Sequence, residues 1–110
     1  MKRFATYPKV ETDIHNGGSF FSEKYRDILE LSEDGEITIL RESQSAQSSS
    51  LPRFVGSVTE EKRAGFSATL KSPDTGVSIA LDALVQGDEL ICHFSSLCDA
   101  GFESELFVRT

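Results

Sequence analysis

Apolar and polar residues alternate through much of the second half of the chain, and turn-forming residues separate the alternating stretches. That pairing of a two-residue period with turn chemistry favours antiparallel β-structure. Phe54, Gly56 and Val58 share one face, as do Phe66, Ala68 and Leu70 after the charged turn Glu61-Lys62-Arg63. Ser72-Pro73-Asp74-Thr75, with Gly76 behind it, offers proline at the second position of a type I turn. Folding there sets Leu70 opposite Val77, Ala68 opposite Ile79 and Phe66 opposite Leu81. A tight turn at Gln86-Gly87 sets Ala83 opposite Leu90, Leu81 opposite Cys92 and Ile79 opposite Phe94. One apolar face then runs across four strands. Gly56 is the position where such a sheet can bend.

The hairpin upstream permits a sharper argument. Asp34-Gly35 is a strong turn signal between Tyr25–Leu31 and Glu36–Glu42. A two-residue loop would oppose Leu31 to Thr38 and Asp27 to Glu42, mixing faces and like charges. A three-residue loop, Glu33-Asp34-Gly35, opposes Leu31 to Ile37, Leu29 to Ile39, Asp27 to Arg41 and Arg26 to Glu42. It joins apolar to apolar and acid to base, so this register is preferred. A helix competes for the same stretch, because Phe21, Tyr25, Ile28 and Leu29 also fit helical spacing with Ser19 as an N-cap.

Val10, Thr12 and Ile14 alternate ahead of a turn at His15–Ser19, and a last strand is expected from Glu103 to Arg109 after the loop 97–101. Residues 43–53, rich in Ser and Gln, read as a polar loop. The expected fold is all-β, with room for one short helix. It is a single domain spanning 1–110, a hairpin meander of about seven to eight strands. Such a meander closes into a small barrel or folds as a two-sheet sandwich.

Composition narrows the function. The 110 residues suit one domain and contain no Trp but eight Phe, so Phe must supply the aromatic core volume. No apolar run approaches the roughly 20 residues of a membrane-spanning helix. The start, Met1-Lys2-Arg3-Phe4, lacks the apolar stretch of a secretory leader. A cytoplasmic protein is the expectation, a leader already removed being the other reading. The net charge is −7. Residues 1–71 are nearly balanced, with ten Lys/Arg and eleven Asp/Glu. Between Ser72 and Val108 there are seven acids (Asp74, Asp82, Asp88, Glu89, Asp99, Glu103 and Glu105) and no base. Such one-sided charge repels nucleic acid and anionic membrane and attracts cationic partners. It also serves plain solubility.

Candidate chemistry is sparse. Asp82 and His93 fall on one outward face, diagonal to each other on neighbouring strands, with Ser95 and Ser96 nearby in sequence. A His–carboxylate pair can act as a base with its orienter, but no nucleophile elbow or glycine-rich oxyanion loop accompanies it. No catalytic residue is assigned. Cys92 and Cys98 match no usual zinc spacing. Cys92 should point into the core and His93 away from it, so neither a metal nor a cofactor is expected. A Cys92–Cys98 disulfide would need the intervening loop to fold back. Gly17-Gly18 lacks the context of a phosphate cradle. Lys62 and Arg63, beside Glu60 and Glu61, form a solvated tip.

The acidic face is the remaining candidate, with Asp82, Glu89, Ile91, His93, Glu103 and Glu105 as partner-binding residues. Acids around an apolar anchor such as Ile91 or Leu84 suit a charge-steered interface. The expected function is a non-enzymatic domain that binds a basic protein, in the manner of an inhibitor or immunity-type protein neutralising a toxin or nuclease. The alternative is a β-barrel holding a small apolar ligand. Hairpin meanders of this length resemble lipocalin-like barrels in broad layout, though the Gly-x-Trp signature is missing here and Phe54, Phe66 and Phe94 would tend to fill the interior. An exposed last strand could also join two copies edge to edge.

Overall fold

A computed structural model describes residues 1–14, 20–43, 52–96 and 99–110. It contains nine strands: β1 (Lys2–Ala5), β2 (Lys9–Ile14), β3 (Phe20–Leu31), β4 (Glu36–Ser43), β5 (Phe54–Lys62), β6 (Gly65–Lys71), β7 (Ser78–Gln86), β8 (Glu89–Ser96) and β9 (Asp99–Arg109). Each strand from β3 to β9 pairs antiparallel with the next, and β1 pairs with both β9 and β3. Eight strands thereby close into a small antiparallel barrel, and β2 extends it along the outer part of β3. Barrel, rather than sandwich, is the architecture. The turn at His15–Ser19, the Ser/Gln stretch 44–51 and Cys98 lie outside the described residues.

The β3–β4 hairpin has the charge-paired register. Leu31 faces Ile37, Leu29 faces Ile39, Asp27 faces Arg41 and Arg26 faces Glu42. Gly35 sits at φ 83°, the left-handed conformation that closes a three-residue loop. Phe20–Leu31 is strand, so the helix that competed for it does not form. In the barrel each inward residue of β3 meets an apolar or charged partner across the ladder. A helix would forfeit those pairs.

The barrel interior is packed. Phe4, Leu29, Ile37, Ile39, Phe66, Ala68, Leu70, Leu81, Ala83, Leu90, Cys92 and Phe107 form one buried cluster, with Leu31, Phe54, Val58, Ile79 and Phe94 packed against it. These are the inward faces expected on β5 to β8, except that Val77 lies in the β6–β7 loop and is exposed. Gly56 lies where β5 and β6 approach so closely that a side chain would collide with the Thr69 carbonyl and the Leu70 backbone.

Two registers differ from expectation by two residues each. Leu70 faces Ile79, Ala68 faces Leu81 and Phe66 faces Ala83. Ala83 in turn faces Cys92, and Leu81 faces Phe94. The β6–β7 connection is longer than a four-residue turn. It closes with Ser72 N donating to the Val77 carbonyl (2.9 Å) and Gly76 N to the Ser72 carbonyl (2.9 Å). The β7–β8 turn is centred on Gly87-Asp88, one residue later than expected. Gly87 takes φ 62° as the first of two loop residues, the place a type II′ turn reserves for glycine. A shift of two keeps every side chain on its face, so the core survives the change.

The remaining corrections concern the ends. Lys2–Ala5 is a strand, and β9 begins at Asp99 rather than Glu103. The β5–β6 turn is at Arg63-Ala64.

Candidate functional site

The ladders of β7, β8 and β9 arrange their outward residues in rows. Asp82 faces His93, which faces Ser104. Leu84 faces Ile91, which faces Leu106. Gln86 faces Glu89, which faces Val108. Two-residue alternation puts Leu90 and Cys92 in the core and leaves Glu89, Ile91 and His93 outside.

The first row is hydrogen-bonded. His93 Nδ1 and Ser104 Oγ lie 2.7 Å apart. Asp82 Oδ1 accepts from Ser67 Oγ at 2.5 Å and from Lys62 Nζ at 3.2 Å. The Ser67 hydroxyl, then Lys62, holds the Asp82 carboxyl below its ordinary value, and nearby His93 adds to the effect. Asp, His and Ser in line supply the residue types of an acyl-transfer relay. Their order of contact is different here. Asp82 is held by Ser67 and Lys62, and Ser104 is at Nδ1, where a relay would place the carboxylate. Asp82, His93 and Ser104 line neither of the two cavities described below.

The second row is apolar and open. Leu84 is 38% and Leu106 37% exposed. On the far side Leu84 pairs with Gly65, which offers no side chain to cover it. Exposed Asp88 and Glu89 flank the row at the end of the hairpin. The result is an apolar strip between a hydrogen-bonded row and a pair of acids.

Four of the six residues expected on this face, Asp82, Glu89, Ile91 and His93, share it. Asp82 and His93 are directly opposed rather than diagonal, because the register moved by two. Glu105 is a correction. It faces Cys92 across the ladder and alternates with Leu106, so it belongs to the core side with Phe107 and is half-buried. Glu103 pairs with Phe94 in the β8–β9 ladder. Ser104 was missed. Only pairing β9 onto β8 reveals it, as nothing in its local sequence marks it.

Cys92 is a fully buried free thiol, pushed up to about 12 by burial and by the charge of Glu105. Among the described residues no three His, Cys, Asp or Glu side chains converge as metal ligands would. A second polar cluster serves the fold. Asp27, 8% exposed, takes Arg41 Nε at 3.0 Å and Arg53 Nη1 at 3.7 Å, while Arg41 stacks on Tyr25 at 4.0 Å. Among the described residues, cavities open at the surface in two places considered next. One, about 910 Å³, is a cup at the barrel end with Phe4, Phe66 and Leu90 in its floor. The other, about 750 Å³, lies between Arg53-Phe54 and the β6–β7 loop. Comparison with protein-family models, with curated proteins and with solved structures finds no match.

Proposed function

We propose that this chain is a non-enzymatic binding protein that engages a basic protein through the outer face of β7–β9, in the manner of an inhibitor or immunity-type protein. The observation that supports it best is the open strip Leu84–Ile91–Leu106 beside Asp88 and Glu89, on a wall with no Lys or Arg from Ser72 to Val108. An apolar anchor ringed by one sign of charge gives both contact area and steering. A basic partner would bury the strip and neutralise the acids.

The test is capture from the native extract by immobilised wild-type protein and by an Asp88→Lys/Glu89→Lys variant, in low and then moderate salt. A basic protein retained by wild type alone, and released as salt rises, supports the reading. Equal retention by both proteins contradicts it.

The 910 Å³ cup favours a second reading, a small amphipathic ligand lying over Phe4, Phe66 and Leu90. The barrel proper is filled, with Leu29, Leu70, Leu90 and Cys92 at 0% exposure, so such a ligand would sit at the mouth.

A further inference from the structure

The barrel seam is closed at one end and split at the other. Phe4 and Ala5 pair with Arg109 and Val108, and Thr110 N donates to the Arg3 carbonyl at 3.0 Å. Beyond Ala5 the chain turns towards β3. Thr6 N donates to the Asp27 carbonyl at 2.9 Å, and Thr6 Oγ1 accepts from Asp27 N at 3.0 Å. Three residues separate Ala5 from Lys9, whereas two separate their partners Ile28 and Tyr25. The extra residue is a bulge, and Pro8 within it has no N–H to offer. β2 therefore continues along β3 and leaves β9.

β9 itself continues. It stays paired with β8 back to Asp99, yet no described strand pairs with its other edge from Asp99 to Phe107. The two sides of the split differ. The β2 side carries Pro8 and Lys9, devices that discourage strand addition, while Asp99–Phe107 contains neither Pro nor Lys.

We propose that the Asp99–Phe107 edge of β9 is a strand-addition site for an extended, basic segment of a protein partner. The chemistry of the occupant rests on the reading of a basic partner; the site itself rests on the open edge. Main-chain hydrogen bonds supply affinity in such additions, and alternate side chains supply selection. A second copy suits the edge poorly. The Asp99–Phe107 edge laid on its own copy opposes acids and neutral residues in every register, because that segment contains no base. Opposite-charge cross-strand pairs stabilise a ladder and like-charge pairs weaken it. A strand carrying Lys or Arg suits a segment whose sequence has three acids and no base from Asp99 to Phe107.

The experiment uses three synthetic nine-residue peptides at about 1 mM in low salt: alternating Lys and Thr, the same peptide N-methylated at every amide, and its Glu-for-Lys counterpart. Residue-resolved amide exchange and resonance shifts are read on the whole protein. The Lys peptide should slow exchange of alternate amides within 99–107 by roughly tenfold, and neither of the others should. Equal binding by the N-methylated peptide, or shifts at Asp82, Ile91 and His93 without protection of 99–107, overturns strand addition while leaving the acidic face standing. Equal protection by the Lys and Glu peptides keeps the edge and overturns the basic occupant. No binding by any peptide, or protection of 99–107 that grows with protein concentration alone, overturns the proposal.

Discussion

The β3–β4 hairpin and the β7–β9 wall handle charge in opposite ways. On the hairpin opposite charges meet across the ladder: Arg26 meets Glu42 at 3.1 Å, and Asp27 holds Arg41 and Arg53. On the wall Lys62 reaches over onto Asp82, while Asp88 and Glu89 are exposed. The same side-chain types thus do different things. Charges on the hairpin select a register and orient β3, and on the wall Asp88 and Glu89 are exposed, as the proposed binding role requires. If that division is right, substitutions in the two regions should separate stability from binding.

The largest effect should come from the core that both regions share. Phe66→Ala removes a ring buried to 6% exposure and should cost about 3–5 kcal/mol in denaturant unfolding. A loss under ~1 kcal/mol would mean the interior is not packed around it. Asp27→Ala strips two arginines of their partner on the hairpin side. It should cost about 1.5–3 kcal/mol, discounted because Arg41 and Arg53 are part-exposed, and leave partner association unchanged.

Cys92 comes next. With its thiol pushed up to about 12, it should resist alkylation at pH 8 until the protein unfolds. The folded value lies above the ordinary 9.0, so stability from this group is full below pH 9 and falls as pH rises towards 12. Unfolding curves from pH 8 to 11 check it, and a Cys92→Ala variant should lose that alkaline decline. Asp82 runs the other way. Its carboxyl is held below 3.8, so its small, exposed contribution is present above that pH and fades in stronger acid. An Asp82→Asn variant should show a slightly flatter acid limb. The smallest stability change belongs to Asp88→Lys/Glu89→Lys, within about 0.5 kcal/mol of wild type.

How much of this was legible in the sequence depended on whether the deciding contacts were local. The β3–β4 register was readable because Asp27, Arg26, Arg41 and Glu42 lie within one hairpin and their charges distinguish two alignments. The β6–β7 and β7–β8 registers were readable only to their parity. Apolar alternation is unchanged by a slip of two, and the loop lengths were set by Ser72–Val77 and by Gly87. Closure was not readable. Lys2–Ala5 is four residues long, and its partners Leu31 and Arg109 are remote. Glu105 was misplaced for a related reason. Leu106, Phe107 and Val108 are all apolar, so β9 shows no alternation that says which face is inward. Only Cys92 across the ladder decides it.

The comparison between hairpin and wall rests finally on association kinetics. The measurement is the association rate with the captured basic partner, against ionic strength, for wild type, Asp27→Ala and Asp88→Lys/Glu89→Lys. Wild type and Asp27→Ala should associate alike and slow together as salt rises, while the charge-reversed wall should associate at least about tenfold more slowly at low salt and depend little on it. Equal rates for the charge-reversed wall and wild type at low salt would mean that Asp88 and Glu89 do not steer the partner.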